Sequence, residues 1–280
     1  MTGARGTLRR LLANPSGVIG LILLAAMIFM AASADAFYPG DPFDMVARPY
    51  LWPGQNSLFP LGSDNMGRDI AAELFHGARI SLFIGVVAAA ICVGIGTLVG
   101  ALSGYFGGWI DTALTRLTEA VQTVPSFLFL VVLVAIFQPS VATITIGIGA
   151  VSWPTVARLV RAEFRSLRAR EFVLAARGLG FSNAYIIFRE ILPNALPPLV
   201  VTTAVIVASA ILSESALAFL GLGDPNIISW GAMIGNGRAV IRTAWYVSAI
   251  PGGIIVLTVL AINLLGEALN DALSPSLAEG

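Results

Sequence analysis

Three residue types are scarce or absent in this sequence of 280 residues: lysine, cysteine and histidine. All 16 basic residues are arginine, and the chain has one cysteine, Cys92, and one histidine, His76. One cysteine cannot form a disulfide within the chain, and one residue of each type cannot build a Cys/His metal site. Charged residues make up only 11%, against about 25% in an ordinary soluble domain. This deficit indicates an integral membrane protein.

Long apolar runs account for most of the sequence, which is 57% hydrophobic with a mean hydropathy of +0.86. A helix needs about 20 mostly apolar residues to cross a bilayer. Six segments meet this requirement, so we predict an all-α membrane protein with six transmembrane helices. A segment of residues 1–16 precedes a transmembrane domain, 17–280. The predicted spans are 17–36, 81–104, 113–137, 141–160, 197–219 and 246–268.

The first apolar run also has features of a cleaved signal peptide. Arginines precede it, and Ala34-Asp35-Ala36 resembles a cleavage site. Its apolar stretch is longer than the roughly 7–15 residues of a signal peptide. We therefore interpret it as a retained membrane anchor.

Arginine is unevenly distributed between the loops. With a cytoplasmic N-terminus, eleven arginines lie inside and five outside, which is the bias that the positive-inside rule requires. We therefore expect both termini in the cytoplasm, external loops at 37–80 and 220–245, and a cytoplasmic loop at 161–196. Within the first external loop, Asp69 can cap a short helix. Its residues Ile70, Leu74 and Phe75 are expected to lie against the membrane surface.

Small residues recur every four positions along the second span. This spacing lets two helix backbones approach closely, and either packing within the bundle or contact with another subunit explains it. The residues of this small-residue stripe are Ala88, Cys92, Gly96, Gly100 and Gly104.

Few residues within the spans suggest chemistry. Glu214, near the outer end of the fifth span, is the best intramembrane polar candidate, because ionisable residues at depth are usually functional. No series of buried acidic or histidine residues suggests a proton relay, and no catalytic arrangement suggests an enzyme. Prolines are expected to bend four spans, at positions 125, 154, 197, 198 and 251.

The most polar segment is EFVLAARGLGFSNAYIIFREILPN, residues 171–194. Phe172, Ala175, Ala176 and Leu179 are spaced as one shallow apolar helix face. Gly178 and Gly180 are expected to end this helix, and Ser182 can cap a second helix that runs to Pro193. From the residues alone, two interpretations are open: a docking element for another protein, or a helix held on the anionic inner leaflet by its arginines.

This segment resembles the EAA signature of the permease subunits of binding-protein-dependent ABC importers. That signature has a Glu-Ala-Ala, a glycine soon after and a distal Leu-Pro. Two positions depart from it: Leu174 replaces the glutamate, for which Glu171 offers a carboxylate one turn earlier, and Glu190 replaces an isoleucine. The resemblance implies that the segment couples the chain to an ATPase. The coupling residues would be Glu171, Ala175, Ala176, Arg177, Gly180, Leu192 and Pro193.

Other stretches narrow the resemblance to the C-type permease of the dipeptide, oligopeptide and nickel importer family. They are PLGSDNMGRD, GALSGYFGGWIDTALTRLTEAVQTVP, REILPNALPPLVV and SALAFLGLGDP. The family implies a type I ABC importer fold in the bacterial inner membrane, a second homologous permease and an external substrate-binding protein. It also implies one or two kinds of ATPase subunit, which bind ATP and Mg²⁺. The chain itself would then hold no cofactor or metal, catalyse no reaction, lie in the lipid bilayer and bind no nucleic acid.

Short peptides are the expected solute, because one histidine and one cysteine offer few ligands to bare metal. A nickel or metal-chelate importer is the alternative within the family. An ATP-independent secondary transporter is an alternative from another class, but it would need ion-coupling groups that the sequence does not show.

Overall fold

The computed structural model describes residues 4–273, and helices dominate this range, which contains no β-strand. The remaining residues of the predicted N-terminal segment and transmembrane domain, 1–3 and 274–280, lie outside the described residues. A π-helical turn, Ile186–Ile191, joins α9 to α10, and a 3₁₀ turn, Arg238–Val240, follows α11. The α-helices are α1 Ala4–Ala13, α2 Pro15–Ala32, α3 Ala34–Phe37, α4 Ile70–Phe106, α5 Gly108–Gln122, α6 Ser126–Phe137, α7 Val141–Leu167, α8 Glu171–Gly178, α9 Asn183–Tyr185, α10 Leu192–Phe219, α11 Trp230–Gly237 and α12 Tyr246–Leu273.

Five helices are each long and apolar enough to cross a membrane: α2, α4, α7, the continuous helix from α9 to α10, and α12. A sixth span forms if α5 and α6 are counted together across a bend of 74°. Pro125 lies at this bend, and a proline both lacks a backbone donor and disfavours helical geometry in the residue before it. The prediction of an all-α membrane protein is confirmed, with five continuous spans and a sixth only if the bent pair α5 and α6 crosses the membrane together.

The loops on one side of the bundle meet at what we call the loop end. There the Tyr246 hydroxyl donates a hydrogen bond to the Leu51 carbonyl at 3.0 Å, which joins residues 38–69 to the start of α12. The Trp230 indole donates to the Leu74 carbonyl at 3.1 Å and fixes α11 on α4. α8 and α9 lie at the opposite end, which we call the short-helix end. The two ends therefore carry different folded elements.

The predicted short helix after Asp69 is part of a longer one. The Asp69 carboxylate accepts a hydrogen bond from the Ala71 N–H at 2.9 Å, as expected of a cap, but α4 then continues unbroken to Phe106. Ile70 and Leu74 are 0% and 3% exposed. The expectation that they lie against the membrane surface was wrong, because α11 and the start of α12 cover them.

The small-residue stripe of α4 lies against α7 of the same chain. Cys92 is fully buried. A Cβ atom added to Gly96 would lie 2.5 Å from the Val156 Cβ, and one added to Gly100 would lie 2.5 Å from the Ala157 carbonyl oxygen. Neither position has room for a side chain, so these glycines allow the two backbones to approach closely.

Candidate coupling site

α8 and α9 form a helix–turn–helix at the short-helix end. Gly180 ends α8 with a φ of +80°, a left-handed conformation that glycine adopts without strain. The Phe181 N–H then donates to the Ala176 carbonyl at 3.2 Å. The Ser182 hydroxyl accepts from the Tyr185 N–H at 3.3 Å and starts α9. The predicted roles of Gly180 as a stop and Ser182 as a cap are confirmed.

The second short helix does not end at Pro193, as the sequence suggested. α9, the π turn and α10 run as one helix from Asn183 to Phe219, so Leu192 and Pro193 lie at the start of α10. Pro193 removes one backbone donor, and the Asn194 side-chain amide donates to the Glu190 carbonyl at 2.6 Å. The helix therefore continues past the proline, and most of residues 161–196 are helical rather than loop.

The predicted apolar face of α8 is not one surface in the structure. Val173 and Ala176 are 0% and 6% exposed, and they lie in the same core cluster as Ile186 and Ile191. Ala175, in contrast, faces outward. The prediction that Ala175 and Ala176 lie on one shared face was wrong, because the core side chains of the π turn cover Ala176.

The outward side of this element is apolar, and we call it the α8–α9 surface. The Phe181 and Tyr185 rings stack on it at a centroid distance of 4.4 Å. Glu171, Arg177 and Arg189 are exposed around it. Several large exposed apolar side chains among charged ones are typical of an interaction site. The exposed apolar residues are Phe172, Leu174, Ala175, Leu179, Phe181, Tyr185 and Phe188.

Tyr105, at the end of α4, holds the two short helices in place. Its hydroxyl donates to the Asn183 side-chain oxygen at 2.7 Å, and the Arg177 guanidinium lies 5.2 Å from its ring centroid. Arg168, just after α7, donates to the Tyr105 carbonyl at 3.0 Å. The α8–α9 surface is thus fixed to α4 and α7. Sequence reasoning missed Tyr105, whose one visible feature was its position directly after the small-residue stripe.

A second polar contact joins α5 to α7 near the same end. Arg161 donates to the Asp111 carboxylate, with Nη2 and Oδ2 at 2.8 Å. The Ser103 hydroxyl of α4 also bonds to this carboxylate, and Arg165 lies 4.0 Å away. Three helices therefore share one carboxylate, which fixes the start of α5 against α4 and α7.

Glu214 lies near the end of α10 at the loop end, where it joins two helices of the permease. It is 3% exposed, and the Ser229 hydroxyl donates to its Oε1 at 2.6 Å. The same hydroxyl accepts from the Ala232 N–H at 3.0 Å and caps α11. The described contacts of Glu214 therefore attach α11 to α10.

The loop end is held by charge as well. Arg79 donates to the Ala31 carbonyl at 2.6 Å and to the Asp35 carboxylate at 2.9 Å. This hydrogen bond holds the pKa of Asp35 below its usual value. At the cap of α4, burial raises the pKa of Asp69. Arg79 of α4 thus ties α4 to the end of α2 through the Ala31 carbonyl.

The architecture is that of a type I ABC importer permease. The chain is similar to a chain in the inward-facing structure of the MetNI methionine ABC transporter, with a TM-score of 0.60 and 18% sequence identity. The match covers 72% of this chain and 96% of the other. At this identity the likeness shows the fold alone.

Sequence comparison then gives the family. Residues 96–279 match the model of the binding-protein-dependent transport system inner membrane component, and residues 4–55 match the N-terminal TM domain of oligopeptide transport permease C. The chain belongs to this family of permeases, in the branch of peptide and dipeptide transport. It is a multi-pass protein of the inner membrane and a transport permease rather than a catalytic enzyme. The predicted family and membrane location are confirmed.

Two curated relatives show how much of the chain is shared. The dipeptide transport system permease protein DppC of Haemophilus influenzae is 35% identical, over 95% of this chain and 92% of its own length. The di/tripeptide transport system permease protein DppC of Pseudomonas aeruginosa is 38% identical, over 94% of this chain and 89% of its own. The similarity therefore extends over nearly the full length of each protein.

Proposed function

We propose that this chain pairs with a second, homologous permease to form the path by which short peptides cross the inner membrane. ATP hydrolysis in cytoplasmic ATPase subunits drives transport, and an external binding protein delivers the peptide. The observation that carries this proposal is the exposed, apolar α8–α9 surface, which is anchored to the spans through Tyr105. The names of the DppC relatives support peptides over the nickel alternative.

The coupling role rests on how α8 is built. Its inward residues join it to the permease core, so a push on α8 moves the core with it. Its outward residues include Ala175, the exposed member of the alanine pair, beside larger apolar side chains. A small side chain in a shallow apolar surface lets a partner backbone come close. We infer that an ATPase subunit binds here and that its closure on ATP moves α4 and α10.

We further infer that both termini and α8 face the cytoplasm and that the loop end faces outward. The eleven-to-five arginine bias supports this orientation. In it, the folded loops at 38–69 and 220–245 meet the binding protein, and α8 meets the ATPase. The surface that meets the loaded binding protein and the surface that meets the ATPase are then two energetically coupled sites of one complex.

Cysteine labelling tests this orientation. Ser57 and Ser166 are both exposed, and each can be changed to cysteine in a Cys92→Ala background. An impermeant maleimide added to spheroplasts is expected to label Ser57→Cys but not Ser166→Cys until the membrane is permeabilised. The reverse pattern would overturn the orientation, and with it the coupling role of α8.

Uptake in proteoliposomes tests the function itself. The complete complex is reconstituted with the binding-protein side accessible, and a labelled dipeptide is supplied on the cognate binding protein. Accumulation is expected only with ATP inside the vesicles, and the binding protein without dipeptide is the control for basal hydrolysis. Accumulation driven by an ion gradient without ATP would identify a secondary transporter, and uptake of nickel in place of dipeptide would favour the metal alternative.

A further inference from the structure

We propose that a cavity between α4, α5 and α7, lined by both apolar and polar residues, is a subsite of the translocation path, in which Arg158 binds the carboxylate of a passing peptide. This inference rests on the proposed function and deepens it. The cavity has a volume of about 240 Å³. Its lining includes Thr115, Thr118, Glu119, Gln122, Arg158 and Arg161.

The first observation is the polar face of α5. Thr112, Arg116, Glu119 and Thr123 recur at helical spacing, and all four are exposed. Arg116 and Glu119 form an ion pair at 3.0 Å, with side chains 79% and 56% exposed. Charged side chains inside a span avoid hydrocarbon and face water or protein. We infer that this side of α5 is in water.

The second observation is the break that follows α5. The chain bends by 74° between α5 and α6, and Val124 and Pro125 are exposed there. Non-helical backbone at membrane depth is tolerated where it lines an aqueous cavity or is buried in protein. In several transporter folds, the interrupted helices form the solute site. An exposed break directly beside a cavity with charged lining residues fits an aqueous path better than contact with lipid.

The third observation is the charge balance of the cavity. Of its three ionisable residues, Arg161 is paired with Asp111, and Glu119 is paired with Arg116. Arg158 is exposed, and within residues 4–273 it forms no ion pair. Arg158 lies nine residues before the end of α7, which places it about 13 Å from that helix end. A guanidinium without a carboxylate partner, in a cavity near the cytoplasmic end of a span, is suited to a mobile anion, and the C-terminal carboxylate of a peptide is such an anion.

The size of the cavity limits what it holds. Small-molecule sites usually have volumes of about 300–1,000 Å³, and this cavity is slightly smaller. It therefore fits one end of a peptide rather than the whole molecule. Thr115, Thr118 and Gln122 also line the cavity. The two threonine hydroxyls donate within α5 and can accept from a peptide N–H, and the Gln122 amide can both donate to and accept from a peptide backbone of any sequence. The subsite would recognise a peptide terminus and not a side chain.

The test combines transport kinetics with labelling on the complete complex in proteoliposomes. Arg158→Gln is expected to lower kcat/KM for dipeptide uptake by about tenfold or more, since a hydrogen bond to a charged group contributes that much. Arg158→Lys, which keeps the charge, should recover part of the loss. Arg9→Gln, an exposed arginine on α1, is the matched control and should transport like the unmodified complex.

Labelling distinguishes an aqueous path from a surface helix. In the Cys92→Ala background, Gln122→Cys is expected to react with a charged methanethiosulfonate, more slowly while dipeptide is being transported. Val132→Cys, which is 56% exposed on the apolar α6, should stay unreactive. If Gln122→Cys reacts at the same rate during transport and Arg158→Gln imports normally, α5 is a surface helix and the subsite is wrong. If the unmodified complex imports no dipeptide at all, the proposed function fails instead.

Discussion

Ala175→Glu is expected to abolish dipeptide uptake while leaving the permease folded. Ala175 is exposed on the α8–α9 surface, so its replacement disturbs no contact within the permease core. In the assembled complex, the new carboxylate would be buried against the ATPase without a partner, which costs several kcal/mol. At about 1.4 kcal/mol per factor of ten, two such factors weaken docking roughly a hundredfold. Co-purification of the ATPase subunits, and hydrolysis stimulated by loaded binding protein, measure the loss.

Ala176→Glu is the matched comparison, one residue along the same helix. Ala176 is 6% exposed and lies in the core cluster that contains Val173 and Ile186. A carboxylate there is expected to destabilise the permease itself, so the yield of folded protein and its melting temperature in detergent should fall. Full uptake by Ala175→Glu with a normal complement of ATPase would show that the α8–α9 surface contacts lipid rather than a partner.

Gly96→Leu is expected to separate α4 from α7 and to lower the stability of the permease. Even the Cβ would lie 2.5 Å from the Val156 Cβ and 2.8 Å from the Trp153 carbonyl oxygen. Overpacking of this kind costs about 1–3 kcal/mol for modest insertions, and leucine adds three more carbon atoms. Thermal unfolding of the purified permease and recovery of the assembled complex are the measurements.

Gly94→Leu, two residues away, supplies the control for helix propensity and hydrophobicity. A Cβ at Gly94 meets nothing within 4 Å, and the residue is exposed on α4. Leucine is also the better helix former, by nearly 1 kcal/mol. The melting temperature of this variant should equal or exceed that of the unmodified protein. Equal tolerance of both substitutions would contradict the close approach of α4 and α7.

The spans were predictable because the bilayer imposes a minimum apolar length, but the helix ends were not. α4 begins at Ile70, well before the predicted span 81–104, and its first turns are buried by α11. The helix of the fifth span begins at Asn183, well before the predicted span 197–219. Hydropathy marks the part of a helix that can cross a bilayer, not the point where the helix begins. Pro193 also misled the prediction of where this helix begins. A proline usually marks a helix end, but here the helix continues through it into α10.

The turn between α8 and α9 was predictable from the sequence, but the buried face of α8 was not. The positions of Gly180 and Ser182 gave the turn from local rules alone, since each acts on the backbone beside it. The inward face of α8 instead depends on contact with Ile186 and Ile191, across that turn. The spacing of apolar residues along α8 did not determine whether Ala176 faces the permease core or the solvent. The hydrogen bond from Tyr105 to Asn183 spans 78 residues, and no single-sequence pattern indicates such a pairing.

If the coupling proposal holds and the continuous helix from Asn183 to Phe219 tilts as one rod, it would act as a lever. Its 37 residues correspond to a length of about 55 Å. A tilt of roughly 10° about its middle moves the two ends by about 5 Å in opposite directions, as the geometry of a helix of that length requires. One arm ends at α8, and the other carries Glu214 and, through Ser229, α11. In such a tilt, a displacement applied at one side of the membrane would be delivered at the other as an opposite displacement of similar size.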